Sequence, residues 1–489
     1  MTVLRLLLAL VFATGLFGQP PRPHLRLLDE KGRPVAARVQ VLDADGKPAA
    51  MPGSAALAPI HPRNAALGVV VDREADIELP SGATRVRISR GTEYLPVETS
   101  PPGTVRLRRW IDMAGRGWWS GDLHVHRVPA EMPLLLEAAD LHFAPTITRW
   151  NDQSNLDPWP ERRVYVVGVN RAYSVDNCED ERGWGAALFF GVKSPPRLYA
   201  MKGNREYPPG ISVWREARDK GAYIDLEKAI WWGAPVVAGL MAPDSIGVAV
   251  NHFLESSMMD SEAWGRPRDV GKYPGAEGFA RYVFDLYYLY LNAGLRAPAS
   301  AGSANGVLQN PLGYNRSYVY LAGRFSPESW WAGQKAGRNF VTNGPMLFLK
   351  VGGKLPGTVI EGANEVSVKL EALAAGELEK AEVVVDGAVV KTLAPSADRR
   401  RISGQARIKV RPGGWLAARC FEKSPVTIRF AHTSPVYFGR TPRRAPEALE
   451  SLRAWIDAEM ERIRQLRNIT DAQREELLAL CRQALRAYQ

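Results

Sequence analysis

The sequence predicts an α/β barrel with a β-sandwich-like module on each side and a helical hairpin at its end. Three observations carry this. Residues 24–108 are short alternating runs broken by Asp/Gly turns. From Trp110 onward, strand-like runs alternate with helix-like ones. Past Pro345 the alternation becomes purely strand-like, until two amphipathic stripes close the chain. The implied segments are 1–18, a leader; 19–109, an N-terminal β-sandwich; 110–345, the barrel; 346–440, a C-terminal β module; and 441–489, the hairpin.

The leader reads as a signal peptide. Arg5 is its positive start, 6–17 is apolar, and Gly18 before Gln19-Pro20 offers a cleavage point. The expected location is the periplasm or the cell exterior, without stable membrane insertion after cleavage. In the N-terminal module, Leu25-Arg26-Leu27-Leu28 runs into Asp29-Glu30-Lys31-Gly32, and Val39-Gln40-Val41-Leu42 runs into Asp43-Ala44-Asp45-Gly46. Asp76-Ile77-Glu78-Leu79 and Arg85-Val86-Arg87-Ile88 continue the pattern.

The barrel opens with Trp118-Trp119-Ser120-Gly121-Asp122-Leu123-His124-Val125-His126. Period-two alternation sends Asp122, His124 and His126 to one face. Two imidazoles side by side at a strand end are within reach of one metal ion. Only seven histidines occur, and three fall between His124 and His142, which strengthens the metal reading. Further strands are expected at 141–148, 163–167, 186–190, 221–227, 245–250 and 318–321, with helices at 132–139, 279–291 and 328–335. Tyr223, Asp225 and Glu227 share a face, and Asn251-His252 ends a strand. His142 has the wrong parity for a ligand and reads as a satisfied interior histidine.

The C-terminal module alternates at 347–351, 366–370 and 381–385, with Asp386-Gly387 as a hairpin turn. In the tail, Leu449, Leu452, Ile456, Met460 and Ile463 form one stripe. Thr470-Asp471-Ala472-Gln473 is a capping box opening a second helix.

Composition narrows the function classes. The 489 residues are 46% hydrophobic and 24% charged, a globular balance, with a formal charge of +11. Basic residues are scattered apart from Arg399-Arg400-Arg401 and Arg443-Arg444, and no basic stripe interleaves with aromatics. Nucleic acid is therefore not an expected partner. Three cysteines, Cys178, Cys420 and Cys481, are too few for a disulfide scaffold.

Gly121-Asp122-Leu123-His124-Val125-His126 resembles the opening motif of the PHP (polymerase and histidinol phosphatase) superfamily. Residues 292–303 and 337–345 look like its carbaryl-hydrolase-type (CehA/McbA) metallohydrolases. The resemblance covers roughly 117–345. It implies a distorted (β/α)7 barrel with metals at the strand C-terminal ends, and it assigns His124 and His126 as ligands. The next carboxylate ligand matches Glu179. The chain departs from the family where Thr148-Arg149-Trp150-Asn151, Gly183-Trp184-Gly185 and Gly302-Ser303-Ala304-Asn305-Gly306 replace runs that carry further ligands. A reduced site of His124, His126, Glu179, Glu227 and His252 follows, with Asp225 as an alternative to Glu227. That set suits a divalent metal: zinc, manganese or iron. Glu179 or Glu227 would accept the proton from a metal-activated water. The expected activity is hydrolysis of an ester, amide, carbamate or phosphoester, on a small-molecule or glycan substrate. The alternative is a barrel that has lost catalysis and binds carbohydrate or a surface partner.

Overall fold

The computed structural model describes residues 23–51, 58–60, 64–77, 79, 85–200, 205–259 and 265–489. The leader lies outside the described residues.

The N-terminal module is two small sheets. His24–Leu28 pairs antiparallel with Glu74–Asp76 and parallel with Gly103–Arg106. Ala36–Leu42 lies between Val69–Asp72 and Arg85–Ser89. The alternating Leu25, Leu27, Val39, Val41, Val86 and Ile88 make its core. The Glu74–Asp76 strand starts two residues earlier than the 76–79 run predicted it.

The strand Trp118–Gly121 holds the centre. It pairs parallel with Phe143–Trp150 and antiparallel with Arg316–Tyr320. From Phe143–Trp150 the sheet continues through Arg171–Asp180, Ala187–Phe190, Tyr223–Leu226, Ser245–Ala249 and Ala299–Ala301. The result is a mixed sheet flanked by helices. Met132–Ala138, Gly210–Asp219, Ala234–Leu240 and Gly275–Asn292 fill four of the connections. The expected alternation breaks at several places, two of them for the same reason. Val164–Val167 forms a hairpin with Arg171–Asp180, and the link from Asp180 to Ala187 is too short for a helix. Short links force antiparallel neighbours, whereas parallel ones need a long crossover.

The C-terminal β module shares this sheet. Asn339–Thr342 pairs with Arg316–Tyr320 on one edge and with Arg429–Thr433 on the other. A three-stranded sheet of Met346–Val351, Glu365–Leu373 and Arg401–Lys409 packs over it. Trp118, Tyr318 and Phe340 share a core with Leu347, Leu349 and Val368. The Asp386-Gly387 hairpin has both residues at positive φ, 49° and 91°, the twist that such turns require.

The tail is the expected hairpin of Pro446–Arg464 and Asp471–Ala487, opened by the Thr470/Gln473 capping box. Its buried face packs on Ala234–Leu240 and Gly275–Asn292. Tyr488 Oη donates to the Pro235 carbonyl at 3.0 Å. All three cysteines are buried and unpaired. Among the described residues, no helix is long and apolar enough to cross a membrane.

Candidate metal centre

The regular strand ends at Gly121, five residues before His126. Alternation nevertheless persists, because Val125 bridges Thr146 on one side and Asn305 on the other, both parallel. The Val125 side chain faces the core, and the two flanking imidazoles face the other way. Two interactions lock this segment. The buried Asp122 carboxylate accepts from the backbone amides of His124 at 3.1 Å, Ser303 at 3.0 Å and Gly313 at 2.7 Å. Burial raises its pKa against these bonds. Gly302 supplies the second constraint, because a Cβ there would lie 2.3 Å from His124 Cβ. Only glycine lets the Ala299–Ala301 strand pass so close.

His124 Nε2 and His126 Nε2 lie 3.0 Å apart. Glu179 Oε2, from the end of Arg171–Asp180, is 3.0 Å from His126 Nε2 and 3.4 Å from His124 Nε2. Donors bound tetrahedrally at metal–ligand distances of about 2.0–2.1 Å are separated by about 3.3–3.4 Å. The three atoms therefore need to move only by tenths of an ångström to share one ion. Among the described residues, neither Glu179 oxygen has a hydrogen-bond partner, although the side chain is 1% exposed. A buried carboxylate without hydrogen bonds depends on a neighbouring cation, which is His124 when protonated or a metal in the proton's place. The donor set fits a divalent metal on these grounds.

The electrostatics agree. Burial disfavours the imidazolium of His124, but the carboxylates of Glu179 and Glu227 outweigh burial and hold its pKa at about 10. Burial likewise works against the Glu179 charge, yet His124 and His126 hold its carboxyl well below the usual range. Burial lowers the pKa of His126, against the pull of Glu179. Two imidazoles and one carboxylate thus form a site where a metal replaces a proton.

The other expected residues fall differently. Glu227 Oε1 lies 3.3 Å from His124 Nδ1, on the opposite edge of the ring from Glu179. That is the position of a carboxylate that fixes a ligating histidine from behind, so Glu227 does not stand with the three converging donors. Asp225 is turned aside and accepts from the hydroxyls of Ser245 and Ser300, each at 2.7 Å. Burial pushes its pKa up to about 7. His252 is buried, its ring 5.9 Å from that of Phe279, and does not join the group of three whose ligand atoms lie within 4.8 Å of one another. His142 is the interior histidine expected: its Nδ1 meets the Ser120 hydroxyl at 2.9 Å and the Ser120 amide at 3.2 Å.

Residues elsewhere around the group have structural work. Trp150 stands 5.0 Å from His126, ring to ring, and donates to Glu181 at 3.0 Å. Asn305 donates to the carbonyls of Ile60 and Asn310, at 3.0 and 2.7 Å. The Glu181–Lys228 pair at 2.6 Å, with Lys228 3.7 Å from Glu227, was not anticipated. The period-two spacing of Glu179 and Glu181 was the available signal. Arg149 and Arg182 are paired with Asp157 and Asp180.

No family model and no curated protein matches this chain. One solved structure, that of an engineered protein, is 11% identical over 43% of this chain and 44% of that one, with a TM-score of 0.15, too slight a likeness to carry an argument.

Proposed function

We propose that this chain is a metal-dependent hydrolase built on a reduced PHP-type site. One observation carries the reading: His124 Nε2, His126 Nε2 and Glu179 Oε2 converge at 3.0–3.4 Å around a carboxylate whose oxygens have no other partner. The motif Gly121-Asp122-Leu123-His124-Val125-His126 supports it through its resemblance to that superfamily.

When bound, a divalent ion supplies a water-derived nucleophile near neutral pH and Lewis acidity toward a substrate oxygen. The protein's own groups divide the remaining work. Glu227 fixes the His124 ring from its Nδ1 side, so that Nε2 would be free to hold a metal. Glu179 would hold the metal through Oε2, which would leave Oε1 as a proton acceptor. His126, the most exposed of the three at 8%, marks the side from which substrate enters, beside Trp150. The scissile bond is an ester, amide, carbamate or phosphoester of a small molecule or glycan. The signal-peptide-like leader supports a location in the periplasm or outside the cell.

Metal content of the purified chain, with an ester and phosphoester panel, tests this. Bound zinc, manganese or iron, lost together with hydrolysis in His124→Ala, supports the enzyme. A metal-free, inactive protein that still binds a glycan leaves the binding-module reading instead.

A further inference from the structure

A cleft of about 690 Å³ lies between the N-terminal module and the central body, and none of His124, His126 and Glu179 lines it. At its floor is Asp140, 4% exposed. Three guanidiniums converge on this one carboxylate. Arg109 Nη2 is 2.8 Å from Oδ2; Arg171 Nη2 and Arg90 Nη1 are 3.0 and 3.5 Å from Oδ1. Arg109 also pairs with Glu93 at 2.7 Å. The Tyr94 ring lies between Arg90 and Arg109, at 4.8 and 4.3 Å, and its hydroxyl accepts from both.

Arg90, Arg109 and Arg171 thus share Asp140 and Glu93 in the depth of the cleft, while Asp29 (paired with Arg33), Glu30, Asp112 and Lys31 line the rest of it. Burial, with Asp140 beside it, pushes the Glu93 carboxyl up to about 7, which leaves the positive charge still less balanced. His142 lines the same wall; burial keeps it neutral, and Arg171, Arg316 and Arg109 act in the same direction. Arg171 Nε is buried and, among the described residues, has no hydrogen-bond partner. A cluster serving only to join two modules gains nothing from a third guanidinium, because an unmatched buried charge is costly. An incoming oxyanion at the accessible edge of Arg171 offsets that surplus charge.

We propose that this cleft binds a small molecule bearing a carboxylate or phosphate group, its oxyanion held by Arg171 with Arg90 and Arg109 behind it and Lys31 at the rim. The guanidinium fork suits two-point recognition of either group. The volume suits a monosaccharide-sized or somewhat larger ligand. This site is independent of the metal centre, and its ligand bridges residues of the N-terminal module and the body.

Isothermal titration of the full chain at low ionic strength, with glucuronate, glucose 6-phosphate and glucose as probes, tests it. At least one anionic probe should bind with Kd below about 1 mM while glucose does not. Whichever anion binds tighter separates the carboxylate source from the phosphate. Arg171→Ala should weaken binding at least about tenfold and leave metal content unchanged. Arg171→Lys, which keeps the charge but loses the fork, should also weaken it, and so should Lys31→Ala on the exposed rim. These two carry the test if Arg171→Ala does not fold. Failure of both anions to bind below about 1 mM, equal binding of glucose, or unchanged affinity in the Arg171 variants overturns the proposal.

Discussion

Replacing Glu179 with Gln probes the metal centre most directly. The change keeps shape and volume but removes the charge and one of the two carboxylate oxygens. Structural zinc sites bind with roughly 10–16 kcal/mol of apparent free energy near neutral pH. Shared among three protein donors and a water, each donor contributes about 2.5–4 kcal/mol, or about 70- to 900-fold in affinity. The His126 contact at 3.0 Å and the His124 contact at 3.4 Å place Glu179 as a full member of that set. The metal-free protein should also lose stability. Glu179 is buried with His124 as its charged partner, and removing one side of a buried pair costs about 3–5 kcal/mol. Competition with a chromophoric chelator measures the first effect, and thermal melts with and without metal measure the second. At an ion concentration of about 100 Kd, the parent should gain roughly 2.7 kcal/mol, and Glu179→Gln almost none. A variant that holds the ion within about threefold of the parent's affinity refutes the ligand assignment.

Other outcomes follow from the same geometry. Glu227→Gln should weaken metal binding by about 10- to 100-fold, as expected of a carboxylate behind a ligating histidine, and chelator competition against Glu179→Gln ranks the two roles. Gly302→Ala drives a methyl into His124 Cβ at 2.3 Å, so it should cost about 1–3 kcal/mol in urea unfolding and lower metal content. His432 is kept neutral by burial, its pKa lowered to about 3, with Nε2 2.7 Å from Tyr288 Oη. A depressed pKa means that its contribution is full above the unfolded value near 6.5 and is lost as pH falls toward 3. Between pH 7 and 5, urea melts should therefore show the parent losing about 2 kcal/mol relative to His432→Gln. An unchanged difference between the two proteins would count against the buried neutral imidazole.

Much of this was legible along the chain. Leu25, Leu27, Val39 and Val41 alternate because one sheet face is buried, and alternation needs no tertiary knowledge to be seen. The Thr470/Gln473 capping box and the Asp386-Gly387 turn are local chemistry and stand where they were expected. His124, Val125 and His126 gave the side-by-side imidazoles for the same reason, and Glu179 joins them. The connection between Asp180 and Ala187 was harder, because partner and direction in a sheet depend on strands distant in sequence.

The metal group shows where the division falls. Strand periodicity by itself puts two imidazoles on one face; Glu179 came from the resemblance alone, and the strand Arg171–Asp180 that carries it was not expected. Which acids approach them, and from which edge, is set by packing. Glu227 and Asp225 share a strand face, yet one backs the His124 ring while the other is captured by Ser245 and Ser300. Likewise, Arg90, Arg109 and Arg171 are ordinary surface candidates in the sequence, 81 residues apart at the extremes. Only the docking of the N-terminal module against the body gathers them on Asp140. Covalent order determines which faces exist. Burial, close approach and charge balance decide what those faces meet.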